Sequence, residues 1–295
     1  MYSKILVPLD GSKLSEGVLP YVRSLAQGLK VPVELLGVID SVPVAPHAPA
    51  DEGREYLQRI AASFSGIAEV QCIVQVGNPA ATIVELAAAE PGRLIAMATH
   101  GYSGAQRWLL GSVAEKVLHA ATNHLLLVRP GEGDPAGEAR LRTGVVPLDG
   151  SGLAEAVLPA VSELALRLGL EVVLVRVLPH IYTAPPDALL PVFGMNLPSQ
   201  REIWARDRSE ATEYLNGKVE HLRAAGLSDV SSLVIDGSAG GAAAEIIDLA
   251  KKTSDNLVAM STHGASGIGR WLVGNVTERV VRYSSDPVLV IRPQS

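Results

Sequence analysis

The sequence contains little cysteine, few aromatic residues and no long apolar run. Its 295 residues include one cysteine, Cys72, so no disulfide can form within the chain. Cys72 lies in the apolar run VQCIVQV, which favours a buried strand residue over a redox role. No uncharged apolar stretch reaches the roughly 18 residues that span a bilayer. Met1 to Lys4 leads into a strand-like run with no signal-peptide core. We therefore expect a soluble cytoplasmic protein that does not bind membranes.

Positive charge is also sparse. The chain has 25 Lys and Arg residues against 31 Asp and Glu residues, and neither sign is concentrated in a block that could follow a nucleic-acid backbone. This balance disfavours nucleic acid as a partner. A length of 295 residues with 47% hydrophobic residues is enough for two buried cores, so two globular domains are expected.

An internal repeat divides the chain. The phrase VPLDGS occurs at residues 7–12 and again at 146–151, an offset of 139 positions. Ile95 to Pro130 then matches Val258 to Pro293 without a gap at an offset of 163, so the second copy is 24 residues longer. The extra residues fall in the proline-rich stretch PHIYTAPPDALLPVFGMNLPSQ.

A polar Gly/Pro segment, PGEGDPAGEAR, separates the copies and is typical of a linker. The repeat therefore predicts a first domain over residues 1–132, a linker over 133–141 and a second domain over 142–295.

Each copy alternates short β-branched runs with amphipathic stretches. Uniformly apolar strands are buried on both faces, and βα alternation closes as a parallel sheet covered by helices. Each copy is thus predicted to be a doubly wound α/β domain with five strands and helices on both faces. Pro20 and Pro159 lie inside the first helices, where a kink is expected. In the first copy the predicted helices cover about Ser12 to Gly28, Glu55 to Ser63, Ala80 to Ala89 and a segment from Ser112.

Two sets of candidate binding residues fall where predicted strands end, and ligands of open parallel sheets bind at that edge. Asp10 and Asp149 follow the first strand of each copy. Asp-Gly-Ser is also common helix-cap chemistry, and the hexapeptide alone favours a cap role for Asp10 or Ser12.

The second set is a glycine-bounded loop. Gly101 is followed by nine residues and then Gly111-Ser112, while Gly264 is followed by nine residues and then Gly274-Asn275. Glycine before a helix lets backbone amides approach an anion such as a polyphosphate. Ser112 with Glu115, and Asn275 with Glu278, also have capping-box spacing, and the two interpretations are compatible.

Other motifs are missing. There is no P-loop, GASGIG lacks the glycine order of dinucleotide folds, and no G-x-S-x-G elbow occurs. The seven histidines form no metal-ligand pattern. His100 and His263 precede the loop glycines, and a loop-organising role is favoured over catalysis. Arg107 and Arg270 fit a phosphate contact or a solvated charge equally well, and Trp108 and Trp271 favour packing beneath the loop.

These motifs make the chain resemble the universal stress proteins in their tandem form, over nearly its whole length. ATP-binding members carry glycine, two residues, glycine, nine residues, then glycine followed by Ser or Thr, with an Asp after the first strand. The first copy has Ala98 for the leading glycine, whereas the second has Ser261 there and Asn275 in place of Ser or Thr.

The resemblance implies five parallel strands in the order 3-2-1-4-5, with a nucleotide cleft between the first and fourth strands. It implies ATP as ligand, with accompanying Mg²⁺ left open, adenosine near Asp10 and Val38, and phosphates at Gly101, Gly111 and Ser112. The implied nucleotide-binding residues are Pro8, Leu9, Asp10, Val38, Ala98, His100, Gly101, Gly104, Arg107, Gly111, Ser112 and Val113 in the first copy, and Pro147, Leu148, Asp149, Val177, Ser261, Gly264, Gly267, Gly274, Asn275 and Val276 in the second.

The expected function is stress response through ATP binding and nucleotide-dependent shape, without catalytic residues. A slow ATPase or self-phosphorylating enzyme is the main alternative, and a nucleotide-free interaction module is the third. The second site is expected to be weaker, because Asn275 is a strong helix cap that competes with phosphate.

The last strand of each copy, HLLLVRP or DPVLVIRP, would form an exposed sheet edge. The two copies are therefore expected to pair edge to edge as a pseudo-dimer, and a further homodimer is possible.

Overall fold

In the part of the chain that the structure describes, ten strands and ten α-helices follow each other along two similar halves. The computed structural model describes residues 2–40, 48–100, 110–129, 137–179, 200–252, 255–262 and 273–293. The first half contains β1 (Lys4–Leu9), α1 (Lys13–Glu16), α2 (Leu19–Leu29), β2 (Val33–Ile39), α3 (Ala48–Ala61), a 3₁₀ turn (Ala62–Phe64), β3 (Val70–Val76), α4 (Pro79–Ala88), β4 (Arg93–Ala98), α5 (Ser112–Ala120) and β5 (Leu125–Val128). The second contains β6 (Thr143–Pro147), α6 (Gly152–Glu155), α7 (Leu158–Leu168), β7 (Glu171–Val177), α8 (Gln200–Ala224), β8 (Val230–Ile235), α9 (Gly241–Lys252), β9 (Asn256–Ser261), α10 (Asn275–Tyr283) and β10 (Val288–Ile291).

The strands form one continuous sheet. Its order is β3-β2-β1-β4-β5-β10-β9-β6-β7-β8, so each half has the order 3-2-1-4-5 that was expected. Neighbouring strands within a half are parallel, whereas β5 and β10 pair antiparallel, with Leu126 opposite Leu289. The predicted edge-to-edge pairing is therefore present, and it buries the edges that the two terminal strands would otherwise expose.

Helices cover both faces of the sheet. One apolar cluster joins strand residues to Val22 of α2, Leu57 of α3 and Val161 of α7. The other joins them to Val117 of α5 and Val280 of α10. Each cluster contains residues of both halves, so burial of apolar surface stabilises the pairing as well as each half.

The first helix of each half is broken rather than kinked. α1 ends at Glu16 and α2 begins at Leu19, which places Pro20 in the first turn of α2. Pro159 has the same place at the start of α7. The expectation of a kink inside one long helix was wrong. A first-turn amide has no intrahelical acceptor, so proline loses no hydrogen bond there.

Two other segments differ from expectation. α3 begins at Ala48, earlier than the predicted start near Glu55. Cys72 lies on β3 as predicted but is half-buried rather than buried, because β3 is an edge strand, and burial raises the pKa of its thiol. Most of the proline-rich insertion lies outside the described residues, which resume with the 25-residue helix α8.

The two halves also meet through helices α2 and α7. A methyl group added at Gly28 would overlap Leu168 Cδ2 and lie 3.2 Å from its Cγ. In the second copy the residue that matches Gly28 is Arg167, so the contact between α2 and α7 is not symmetric. Elsewhere, Arg292 at the end of β10 donates to the Leu118 carbonyl on α5, which is a further contact between the halves.

Gly28→Leu is expected to lower the free energy of unfolding by about 1–3 kcal/mol, because the new side chain has no room beside Leu168. Urea denaturation measures the loss. Adding Leu168→Ala to Gly28→Leu removes the obstructing side chain, so the double variant should lose less than the sum of the two single losses. Additive losses would show that the two residues do not compete for the same space.

Candidate functional site

The turn after β1 is built by Asp10, Gly11 and Ser12. Gly11 has φ +82°, a conformation that suits glycine and strains other residues. Asp10 Oδ1 accepts hydrogen bonds from the Ser12 amide at 3.0 Å and from the Ser12 hydroxyl at 2.6 Å. Ser12 Oγ in turn accepts from the Ser15 amide at 3.1 Å and caps α1. The cap role is therefore confirmed for Ser12, while Asp10 orients it and remains exposed at the sheet edge.

The turn after β6 repeats this arrangement. Gly150 has φ +86°, and Asp149 Oδ1 accepts from the Ser151 amide at 2.9 Å and the Ser151 hydroxyl at 2.6 Å. Ser151 caps α6 by accepting from the Ala154 amide at 3.1 Å. Each VPLDGS phrase therefore delivers one exposed carboxylate to the carboxyl edge of the sheet, beside a short capped helix.

The N-terminus of α5 lies where β4 ends. The Gly111 amide donates to the Thr99 carbonyl at 2.8 Å, and Gly111 is the N-cap residue of α5. Gly274 does the same at Thr262, at 2.7 Å, and is the N-cap of α10. Because β1 and β4 are neighbours in the sheet and α1 contacts β4, the N-terminus of α5 and the Asp10 turn share one edge.

The capping-box prediction was wrong in both copies. A box needs the side chain of the N-cap residue, but that residue is a glycine, and Ser112 and Asn275 are the first helical residues. Neither helix has a side-chain cap hydrogen bond. The carboxylates assigned to the boxes face Arg282 instead, with Glu278 at 2.8 Å and Glu115 at 3.6 Å.

The premise that Asn275 caps α10 and competes with phosphate is wrong for the same reason. In both helices the N-cap residue is a glycine, so no N-cap side chain occupies the first-turn amides, and such amides together with the helix dipole favour an anion. This feature no longer distinguishes the two halves.

Gly111 has a packing role as well. A methyl group added there would lie 3.1 Å from the Thr99 carbonyl oxygen and 3.6 Å from His100 Cα. Any larger residue would press on the backbone at the end of β4, so substitution of Gly111 perturbs the loop whether or not a ligand binds. His100 Nδ1 lies 3.0 Å from Thr99 Oγ1, a contact that fits a loop-organising role.

Many of the predicted site residues meet at the carboxyl edge of each half. In the first half these are Pro8, Leu9, Asp10, Val38, Ala98, His100, Gly111, Ser112 and Val113; in the second they are Pro147, Leu148, Asp149, Val177, Ser261, Gly274, Asn275 and Val276. Leu9, Leu148, Ala98 and Ser261 are buried, so their side chains form the floor beneath this edge. Gly101, Gly104, Arg107, Trp108, His263, Gly264, Gly267, Arg270 and Trp271 lie outside the described residues.

Sequence reasoning missed a tyrosine beneath each turn. The Tyr56 hydroxyl donates to Glu16 Oε1 at 3.1 Å, and the Tyr214 hydroxyl donates to Glu155 Oε1 at 2.9 Å. Burial raises the pKa of both tyrosines, and Glu16 or Glu155 raises it further. The signal was available, since EYL occurs in both copies at residues 55–57 and 213–215, and each VPLDGS is followed by a matched glutamate.

The described residues contain no helix that is both long and apolar enough to cross a membrane. Among them, no three His, Cys, Asp or Glu side chains cluster as metal ligands would.

Fold and site together define a tandem α/β protein in which one domain, with one carboxylate turn and one glycine-capped helix, occurs twice. A model of the universal stress protein family matches residues 1–129 and 141–292, and the chain belongs to that family. The two matches leave residues 130–140 between them, which overlap the predicted linker at 133–141.

Individual relatives agree with this assignment. A universal stress protein of Mycolicibacterium smegmatis is 25% identical over 306 residues, which cover 98% of this chain and 97% of that protein. A universal stress protein of Methanocaldococcus jannaschii is 32% identical over 143 residues, which cover 44% of this chain and 83% of the relative. A universal stress protein structure from Archaeoglobus fulgidus covers 100% of both chains with a TM-score of 0.72 at 20% identity, which supports the fold.

Proposed function

We propose that this protein acts in stress response by binding ATP at the carboxyl edge of its sheet. The observation that carries the proposal is the pairing, at one edge, of an exposed carboxylate with a helix whose first turn has no side-chain cap. Asp10 lies at the same sheet edge as the N-terminus of α5 in the first half, and Asp149 at the same edge as that of α10 in the second.

The chemistry of this pair gives a bound nucleotide one orientation. Phosphate oxygens suit the uncapped amides of α5, starting at Ser112, and the positive end of its dipole. A carboxylate repels phosphate but accepts hydrogen bonds from ribose hydroxyls, so the sugar belongs at Asp10. Val38 is half-buried at the end of β2 and offers an apolar surface for the base.

The proposal includes Mg²⁺ as an ion that binds together with the phosphates. The ion keeps several waters and is commonly held by substrate phosphates and one or two carboxylates. It would enter with ATP and add to the neutralisation of the phosphate charge at the helix N-terminus.

The proposed mode of action is binding without turnover, by a protein in the cytoplasm. The antiparallel pairing of β5 with β10 joins the two clefts to one rigid sheet. A change of shape on nucleotide binding in one half can thereby reach the other half or a partner, including a second copy of the chain.

The test is the identity and stoichiometry of nucleotide in protein that is denatured directly after purification. ATP at one or two molecules per chain supports the proposal. Release of ADP from the bound pool during incubation would support a slow ATPase or self-phosphorylating enzyme instead. If no nucleotide is found and none binds in calorimetric titration, the chain is a nucleotide-free interaction module and the proposal fails.

A further inference from the structure

The two clefts differ at one position of the second strand. In the first half Leu9 of β1 lies opposite Gly37 of β2. In the second half Pro147 of β6 lies opposite Val175 of β7, so the next residue, Arg176, holds the register position of Gly37. A neutral glycine in one cleft is therefore replaced by a cation in the other.

Arg176 fills space beside the carboxylate turn. A methyl group added at Gly150 would overlap Arg176 Nη1 and lie 3.3 Å from its Cζ, so the guanidinium packs against the backbone between Asp149 and Ser151. At the equivalent position in the first half, a methyl group on Gly11 would meet no atom of the described residues within 4 Å. The guanidinium thus occupies a volume that no described residue fills in the first cleft.

The guanidinium of Arg176 is held in place by side chains of α8 and α6. Arg176 Cζ lies 5.6 Å from the centre of the Tyr214 ring, a cation–π contact. The Tyr214 hydroxyl donates to Glu155, and Lys218 donates to the other oxygen of that carboxylate at 2.7 Å. This chain of contacts runs from α8 through α6 to β7 and fixes a half-buried arginine before any ligand arrives.

A fixed guanidinium beside a ribose-binding carboxylate changes which sugar the cleft accepts. In dinucleotide folds a carboxylate selects free ribose hydroxyls, while a nearby arginine accommodates a phosphate on the ribose. Arginine suits that role because its planar fork donates two parallel hydrogen bonds to phosphate. At the second turn Arg176 places a positive charge against Gly150, next to Asp149 in the chain, whereas the first half has the uncharged Gly37 at the matching β2 position.

We propose that the second domain selects an adenine nucleotide whose ribose carries a phosphate, with Arg176 as the specificity-determining residue. The inference rests on the proposed nucleotide site and adds its selectivity. The terminal phosphates keep their place at α10, so the ribose phosphate is a second anion at the opposite end of the cleft. The first domain, with Gly37, selects nucleotides with free ribose hydroxyls.

Adenosine 3′,5′-bisphosphate, adenosine 2′,5′-bisphosphate and AMP are the probes, because they differ only in the ribose phosphate. Calorimetry uses the full chain carrying Asp10→Asn, which weakens the first site. One of the bisphosphates should bind the second site about tenfold or more tightly than AMP, as expected for a charge-assisted contact. Arg176→Gly should abolish this preference. Gly37→Arg, in a chain carrying Asp149→Asn, should create it in the first site, where an added Cβ meets Leu57 at 3.6 Å, an ordinary contact distance.

Arg208→Ala is the matched control, since it removes an exposed guanidinium of α8 that pairs with Asp236 and should leave the preference intact. Melting curves verify that each variant is folded. If the first site binds ATP but Arg176→Gly leaves the bisphosphate-to-AMP ratio unchanged, this inference fails and the proposed function stands. If the unsubstituted chain binds none of the probes and no ATP, both fail.

Discussion

Replacing Glu34 by valine is expected to lower the free energy of unfolding by about 3–5 kcal/mol, because it strands a buried arginine. Glu34 and Arg93 are 4% and 8% exposed. Glu34 Oε2 lies 2.7 Å from Arg93 Nε, and Oε1 lies 3.2 Å from Arg93 Nη2. Lys4 Nζ also reaches Oε1 at 3.2 Å, and without Glu34 both cations lose their buried acceptor. Urea denaturation of the two proteins measures the difference.

The second half of the chain supplies a matched control. At the Glu34 position it has Val173, and at the Arg93 position it has Asn256, which donates to the Ala250 carbonyl at 2.6 Å. Glu34→Val combined with Arg93→Asn therefore rebuilds an arrangement that the fold already tolerates. The double variant should recover more than half of the loss. A double variant as unstable as Glu34→Val alone would show that the loss of the Glu34 carboxylate beside Arg93 is not the cause.

The fold was predictable because the signals that specify it are local and occur twice. Apolar strand runs such as VPVELLGVI alternate with helical patterns, and this periodicity indicates a parallel sheet covered by helices. The terminal strands Leu125–Val128 and Val288–Ile291 are short and apolar, which predicted their pairing. The strand order came from the family resemblance, since periodicity does not specify which strands are neighbours.

The errors at helix starts came from single-residue registers. Helical spacing predicts Pro20 inside one long helix, but a new helix starts one residue earlier, where proline is harmless. The spacing to Glu115 and Glu278 predicts caps at Ser112 and Asn275, but the preceding glycines take that position because their amides bond to Thr99 and Thr262. A cap is defined by backbone conformation, which side-chain spacing alone does not specify.

The residue proposed to set the selectivity of the second site could not be found from sequence motifs. Arg176 belongs to an ordinary strand, and its importance follows only from its contact with Gly150, 26 positions earlier, and from the Tyr214 ring, 38 positions later. Alignment of the two copies would have marked it, because Gly37 and Arg176 differ in charge near the end of the second strand of each copy. The difference between the copies at this position is the sequence signal for the proposed selectivity of the second site. The identical VPLDGS phrases are the signal for the carboxylate turns.

Asp10→Asn is expected to weaken ATP binding at the first site by about tenfold to a hundredfold, with little change in melting temperature. Asparagine Oδ1 can still accept the two hydrogen bonds from Ser12, so the turn and the cap of α1 persist. The other carboxylate oxygen becomes an amide that donates, and it can no longer accept from a ribose hydroxyl. Calorimetry with ATP measures the affinity, and the nucleotide that co-purifies should decrease with it.

Ser12→Ala separates the binding role from the cap role. It removes the side chain that accepts from the Ser15 amide, which should cost about 0.5–2 kcal/mol of stability, but it keeps the Asp10 carboxylate and most of the ATP affinity.

Asp149→Asn should leave the first site unchanged and remove little of the co-purifying ATP, because ATP is expected mainly at the cleft without Arg176. Equal ATP affinity for Asp10→Asn and the unsubstituted chain would mean that Asp10 serves only to orient Ser12. A larger loss of co-purifying ATP from Asp149→Asn would instead place the nucleotide in the second half, in the cleft that contains Arg176.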